Sequence, residues 1–112
     1  MKTLTFYDVS YQVDERFEDY AVFKLPSSNV DFCGHRPQLD ETNQEEKPIQ
    51  DFFVQFKNGG TYLYRDIPTE IIKRASVAES IGKFVRAEIS GKYPSIKLEK
   101  PILTSLDLTN RQ

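Results

Sequence analysis

Apolar and polar residues alternate through the first third of the chain, and this pattern predicts strands rather than helices. The stretch KTLTFYDVSYQV alternates in this way, and so does FEDYAVFKL, with the polar VDERFED between them. We expect these two segments to form two strands of a hairpin. SSNVDFCGH predicts a further short strand, with Val30, Phe32 and Gly34 on one face.

The next stretch, RPQLDETNQEEKP, has the composition of a loop. It holds two prolines and a run of acids and amides, and it offers almost nothing to bury. Residues 36–48 are therefore predicted to be a mobile, solvated acidic loop.

The strongest local pattern is the hairpin predicted at residues 51–65. Phe52, Val54 and Phe56 alternate up to KNGG, and two tyrosines alternate after it. A type I turn followed by a left-handed Gly59 would pair Val54 with Tyr62 and place both tyrosines on the face of the phenylalanines. A type I′ turn would instead pair Val54 with Leu63 and turn both tyrosines to the opposite face. We favour the first register because it gathers more apolar residues on one face.

After the hairpin, apolar residues recur at the spacing of an α-helix. Helices are predicted at about residues 69–75 and 77–89, and short strands in the tail near Ile96 and Leu98. Gly82 falls inside the second helix, where glycine is unfavourable, and predicts the close approach of a tyrosine ring from the hairpin. The expected fold is α+β: a small antiparallel β-sheet, extended by the first two strands, with two helices packed on one face.

Length and composition fit one domain without a membrane segment. The chain has 112 residues, of which 38% are hydrophobic and 29% charged. No apolar run could span a bilayer, and the N-terminus lacks the apolar segment of a signal peptide, so we expect a cytoplasmic protein. The single cysteine, Cys33, rules out an internal disulfide.

The net charge of −2 conceals an asymmetry along the chain. Residues 1–50 carry ten acidic and five basic side chains, whereas residues 51–98 carry five acidic and eight basic ones. An anionic partner would therefore be favoured by the second half, although a dedicated nucleic-acid domain is usually more basic.

The order of these signals resembles the KTSC domain, a module named for its occurrence at the C-terminus of some lysyl-tRNA synthetases. The resemblance covers residues 27–98, leaving residues 1–26 as an N-terminal extension and 99–112 as a tail. It departs from the family pattern at His35, where an aromatic such as tyrosine is expected, and in the length of the 36–48 loop. The residues that carry it are Ser27, Ser28, Asn29, Val30, Phe56, Gly59, Tyr62, Tyr64, Ile67, Pro68, Ala78, Ser80, Gly82, Phe84, Ile89, Gly91 and Tyr93.

RNA binding is the activity that the resemblance suggests. Bases of single-stranded nucleic acid stack on aromatic rings while cationic side chains hold the phosphates. The candidate residues for this role are Lys57, Tyr62, Tyr64, Arg65, Lys83, Arg86, Lys92 and Tyr93. The alternative function is a protein-binding adaptor or inhibitor, phage-encoded, whose acidic N-terminal extension and loop contact a bacterial host protein.

Enzymatic chemistry has little support in the sequence. Asp31, Cys33 and His35 would share one strand face, but no second cluster completes a metal shell and no group orients a Cys–His pair. We therefore expect a buried thiol, a hydrogen-bonded or exposed histidine, no cofactor and no catalysis.

Overall fold

The computed structural model describes residues 1–106. The strands are β1 (Lys2–Phe6), β2 (Val9–Val13), β3 (Ala21–Phe23), β4 (Val30–Leu39), β5 (Glu46–Phe56), β6 (Thr61–Pro68), β7 (Ser95–Leu98) and β8 (Leu103–Ser105). The helices are α1 (Thr69–Ser76) and α2 (Ile81–Phe84), which continues as the π-helical turn Val85–Ile89. Within residues 1–106 none of the helices has the length and apolar character needed to cross a bilayer.

A five-stranded antiparallel sheet, in the order β3-β4-β5-β6-β7, is the central layer of the molecule. The helices bury Ile72, Ala75, Ile81, Val85 and Ile89 against one of its faces. The predicted α+β class, with an antiparallel sheet and two helices on one face, is thus confirmed.

The hairpin formed by β5 and β6 has the favoured register. Phe52 pairs with Tyr64 and Val54 with Tyr62, so these side chains all lie on the helix side of the sheet. The turn differs from the expected one, because Gly91 is the only glycine of residues 1–106 with a positive φ and Gly59 is not left-handed. The Lys57 N–H instead donates to the Asn29 carbonyl at 2.8 Å, which fixes the hairpin end to the start of β4.

Of the first two predicted strands, the second extends the main sheet as its edge strand β3, whereas the first does not, and the two do not pair as a hairpin. KTLTFYDVSYQV is itself a hairpin, β1 and β2, that turns at Tyr7 and Asp8 with φ values of 50° and 66°. With β8 it forms a separate three-stranded sheet on the face opposite the helices. A second core fills the space between the two sheets, with Val13, Phe17, Tyr20, Phe32, Phe53, Ile102 and Leu103 buried in it.

The predicted mobile loop at 36–48 is largely strand. β4 runs to Leu39 and β5 starts at Glu46, so only residues 40–45 form the turn, and we call residues 36–49 the arm. Asp40 closes the turn, because its carboxylate accepts the N–H groups of Thr42 and Asn43. Pairing between β4 and β5 thus satisfies the backbone N–H and C=O groups of this segment, although its polar side chains did not predict a strand.

Three further expectations about local structure were wrong. A register shift between Val30 and Phe32 sends Val30 into the helix-side core and Phe32 into the second core, so the two do not share a face. Gly82 adjoins Asn29 and Ser27 rather than a tyrosine, since a Cβ there would lie 3.6 Å from Asn29 Nδ2. The second helix also starts at Ile81 and not at Val77, because the Ser80 hydroxyl accepts the Lys83 N–H as an N-cap.

Candidate nucleic-acid interface

A shallow groove of about 420 Å³ runs between the β5–β6 hairpin and the turn that ends the π-helical segment. We call it the tyrosine groove, and its walls are formed by Phe56, Gly59, Gly60, Tyr62, Tyr64, Ser90, Gly91 and Ser95. The hairpin register brings the aromatic side chains to this side of the sheet. Gly91, on the opposite side of the groove, has a left-handed backbone with φ at 79°. No atom lies within 4 Å of the position that a Cβ would occupy there, so this side of the groove is open to solvent.

The two tyrosines of the groove have different environments. Tyr64 is 5% exposed and belongs to the helix-side core, and its hydroxyl lies 3.3 Å from Ser90 Oγ. Tyr62 is half-buried, with its ring 6.4 Å from Tyr64 and 6.0 Å from Phe56. Tyr64 therefore has no free ring face for a base, whereas Tyr62 and Phe56 keep part of theirs in the groove.

Lys97 lies over the Tyr62 ring, although it is not among the interface residues predicted from the sequence. β7 pairs with β6 so that Lys97 lies directly across from Tyr62, with Nζ 6.0 Å from the ring centroid. Gly60 makes this position available, because a Cβ there would lie 2.6 Å from Lys97 Cε. Among residues 1–106 no carboxylate forms an ion pair with Lys97.

The other predicted basic residues are not all brought to this surface. Lys83 and Arg86 are exposed on the helix that ends at Ser90, and Lys92 is exposed directly after Gly91. Lys57 lies in the hairpin loop, where Nζ donates to the Ser27 carbonyl at 2.6 Å.

Tyr93 and Arg65 also differ from the expected interface residues. Tyr93 packs on the helix-side core. Arg65 follows Tyr64 on β6 and therefore points to the opposite face of the sheet. There Nε donates to Asp51 at 2.8 Å, and Arg65 is absent from the groove.

Arg65 lines a second cleft of about 890 Å³ beside the arm. Asp51 is 4% exposed at its floor and lies 2.8 Å from Arg65 and 3.6 Å from Arg36. Arg36 also pairs with Asp19 at 3.0 Å, a hydrogen bond that raises the pKa of the guanidinium. The carboxylates of this cleft balance its arginines, which makes it a poorer place for phosphates than the tyrosine groove.

The sequence-adjacent Asp31, Cys33 and His35 do not form a site. Cys33 is 1% exposed in the helix-side core, and burial raises the pKa of its thiol. His35 Nδ1 lies 2.8 Å from Gln50 Oε1, and Asp31 pairs with Lys24 at 2.7 Å. The expected buried thiol and hydrogen-bonded histidine are confirmed. Across residues 1–106 no three His, Cys, Asp or Glu side chains come together as metal ligands.

The fold and the groove define a small α+β domain with a central hairpin that carries a Tyr-x-Tyr sequence, and comparisons with known proteins agree. The sequence model of the KTSC domain family matches residues 48–93. A protein of Tsukamurella paurometabola is 33% identical over 45 residues, which are 40% of this chain and 67% of that relative. The crystal structure of a KTSC domain protein from Yersinia pestis superposes with a TM-score of 0.54 at 25% identity, covering 70% of this chain and 97% of that one.

The chain thus belongs to the KTSC domain family. The predicted resemblance is confirmed at this level. The matched residues include β5 from Pro48 onward, all of β6 and the helices. The tyrosine groove lies within the matched region, except for Ser95 at its rim.

Proposed function

We propose that this protein is a non-enzymatic nucleic-acid-binding module that holds single-stranded RNA along the tyrosine groove. The observation that supports this most directly is that the half-buried Tyr62 lies across from Lys97 on the neighbouring strand, and that Lys97 has no ion pair within residues 1–106. Aromatic stacking is worth about 1–3 kcal/mol per base, and adjacent cations neutralise the phosphates. The occurrence of this domain type in some lysyl-tRNA synthetases, which the sequence resemblance implies, favours RNA over DNA.

The electrostatic part of the proposal rests on the helix that ends at the groove. Lys83 and Arg86 are exposed there, three residues apart, and neither is held by an ion pair within residues 1–106. A strand lying in the groove would reach these two charges as it leaves Ser90. Arg65 is not part of this surface, and Tyr64 contributes a wall and a hydroxyl.

The test is the salt dependence of binding to a single-stranded oligouridylate, measured by fluorescence anisotropy. Replacing Lys83 and Arg86 with alanine should reduce the slope of log K against log salt by about 1.4, because each lost phosphate contact removes about 0.7. The matched control is Lys47→Ala with Lys73→Ala, which removes two exposed lysines from the arm and from α1. Equal slopes for the two double variants, or binding that ignores salt, would refute the proposal.

A protein-binding adaptor is the second candidate, and a specific observation on the arm favours it. Leu39 is 48% exposed where β4 ends, beside the cleft that holds Asp51, and it is followed by Asp40 and paired with Glu46 of β5. An exposed apolar side chain on a strand-paired arm, next to a cleft of this size, suits a partner protein that carries a basic, partly apolar segment.

This second candidate is tested by capture from a bacterial lysate with and without nuclease. Leu39→Ser should abolish capture of a partner, whereas Val77→Ser, at a position 78% exposed on the helix side, should not. Capture that nuclease treatment removes would instead support nucleic-acid binding. The full chain is used because β1 and β2 pack against the core that contains Phe32 and Phe53.

A further inference from the structure

Lys97 and Tyr62 together have the dimensions of a binding site for a single nucleotide. Their side chains project from the same face of neighbouring strands, and the ammonium lies 6.0 Å from the ring centroid. The ammonium lies over the face of the Tyr62 ring, and because the lysine side chain is flexible, a base that stacks on this ring would displace the ammonium toward the phosphate attached to the base. Tyr64 cannot supply a second stacking face, since it is 5% exposed.

We infer that the tyrosine groove holds one unpaired nucleotide, with its base on the Tyr62 ring and its phosphate on the Lys97 ammonium. This inference rests on the proposed nucleic-acid binding and specifies that one nucleotide occupies the groove. The shared chemistry is a pyrimidine or purine base with an attached phosphate, which either a single RNA strand or a free mononucleotide would supply.

The floor of the groove adds polar groups that a base edge can reach. The Tyr64 hydroxyl and Ser90 Oγ lie 3.3 Å apart, which is a long hydrogen bond between hydroxyls. Both can donate and accept, so either can turn to a ligand with little loss. The groove volume of about 420 Å³ is large enough for one base with its sugar.

Gly60 is the positioning residue of this subsite. A side chain at Gly60 would meet Lys97 Cε at 2.6 Å and Tyr62 Cε1 at 3.4 Å. Because Cε is near the end of a flexible chain, Gly60→Ala would displace the ammonium without disturbing the fold. This variant moves the Lys97 charge but does not remove it. It therefore distinguishes the effect of the position of the ammonium from the effect of the net charge.

The experiment compares uridine, uridine monophosphate and a single-stranded oligouridylate, each titrated into the full chain and followed by NMR shifts. Tyr62→Leu should weaken binding of all three by roughly 5-fold to 150-fold. Lys97→Ala should weaken the two phosphate-bearing ligands and leave uridine unchanged, and it should lower the oligouridylate salt slope by about 0.7. Gly60→Ala should weaken the binding of uridine monophosphate. Because it removes no charge, its salt slope for oligouridylate should stay closer to that of the wild type than the slope of Lys97→Ala does.

Tyr7→Leu and Lys47→Ala are the matched controls, because Tyr7 is 69% exposed on the β1–β2 turn and Lys47 is exposed on the arm. If the wild type binds oligouridylate and the two variants Lys97→Ala and Lys47→Ala lose the same amount of affinity for it, the subsite is refuted. The proposed function is then not affected. No binding of oligouridylate by the wild type would overturn both. Binding of uridine monophosphate but not of the oligouridylate would identify a free nucleotide as the source and refute the RNA proposal.

Discussion

Replacing Gln55 should weaken the contact between the two sheets, because its side chain joins them by hydrogen bonds. Gln55 is 6% exposed on β5 and faces β8 rather than the helices. Its Nε2 donates to the Leu103 carbonyl at 2.9 Å, and its Oε1 accepts the N–H groups of Ile102 and Leu103, both at 2.9 Å. One side chain therefore satisfies three backbone groups of the segment that leads into β8.

The expected cost follows from these three bonds. Gln55→Leu keeps a side chain of similar size but leaves two donors and one acceptor without a partner. Each such group costs about 1–3 kcal/mol, so the free energy of unfolding should fall by at least about 3 kcal/mol. Because small domains are stable by about 5–15 kcal/mol, this is a large fraction of the total.

The assay is urea unfolding followed by tyrosine fluorescence, since the chain has six tyrosines and no tryptophan. Gln12→Leu is the control, because Gln12 is exposed on the outer side of β2. Gln55→Glu adds a pH test: a buried carboxyl that takes up a proton can again donate to Leu103, so this variant should regain stability as the pH falls toward about 4.3. A Gln55→Leu variant as stable as Gln12→Leu would refute the reasoning.

Three other predictions concern the interior. Gly34→Ala should cost about 1–3 kcal/mol in urea unfolding, because its Cβ would lie 2.2 Å from Phe53 Cε2, and Phe53→Leu in the same chain should recover part of the loss. Tyr64→Phe, which loses only the long bond to Ser90, should change stability by less than about 1 kcal/mol, whereas Tyr64→Ala should cost about 3–5 kcal/mol. Since burial raises the pKa of the Cys33 thiol, a thiolate-directed reagent at mildly alkaline pH should label the native protein only as fast as it unfolds, and rapid labelling in the absence of urea would contradict the packing.

The parts of the fold that the sequence predicted are those in which packing dictates local structure. The register of the 51–65 hairpin follows from the demand that Phe52, Val54, Tyr62 and Tyr64 share one face, and it holds although the turn geometry differs. The β1–β2 hairpin could not be found in this way. Its turn uses Tyr7 and Asp8 at positive φ, where glycine or asparagine usually marks such a turn.

The candidate site was predictable only in part, for a related reason. Tyr62 belongs to the hairpin and follows from the alternation, but Lys97 reaches it through the pairing of β6 with a strand some 35 positions along the chain. A short strand was predicted near Ile96 and Leu98, but nothing was predicted about Lys97 between them. What the sequence could not supply was the neighbour of β7, which tertiary pairing alone determines.

The two faces of the central sheet have different relations to the family. The family match over residues 48–93 contains β5, β6 and the helices, and so the helix side with its tyrosine groove. The second layer is built from β1, β2 and β8, all of which lie outside that match, and the Yersinia pestis protein is covered almost completely by 70% of this chain. A function common to KTSC domains should therefore depend on Tyr62 and its surroundings. A function particular to this protein should depend instead on the second layer or on the arm, and variants at Tyr62 and Leu39 distinguish the two.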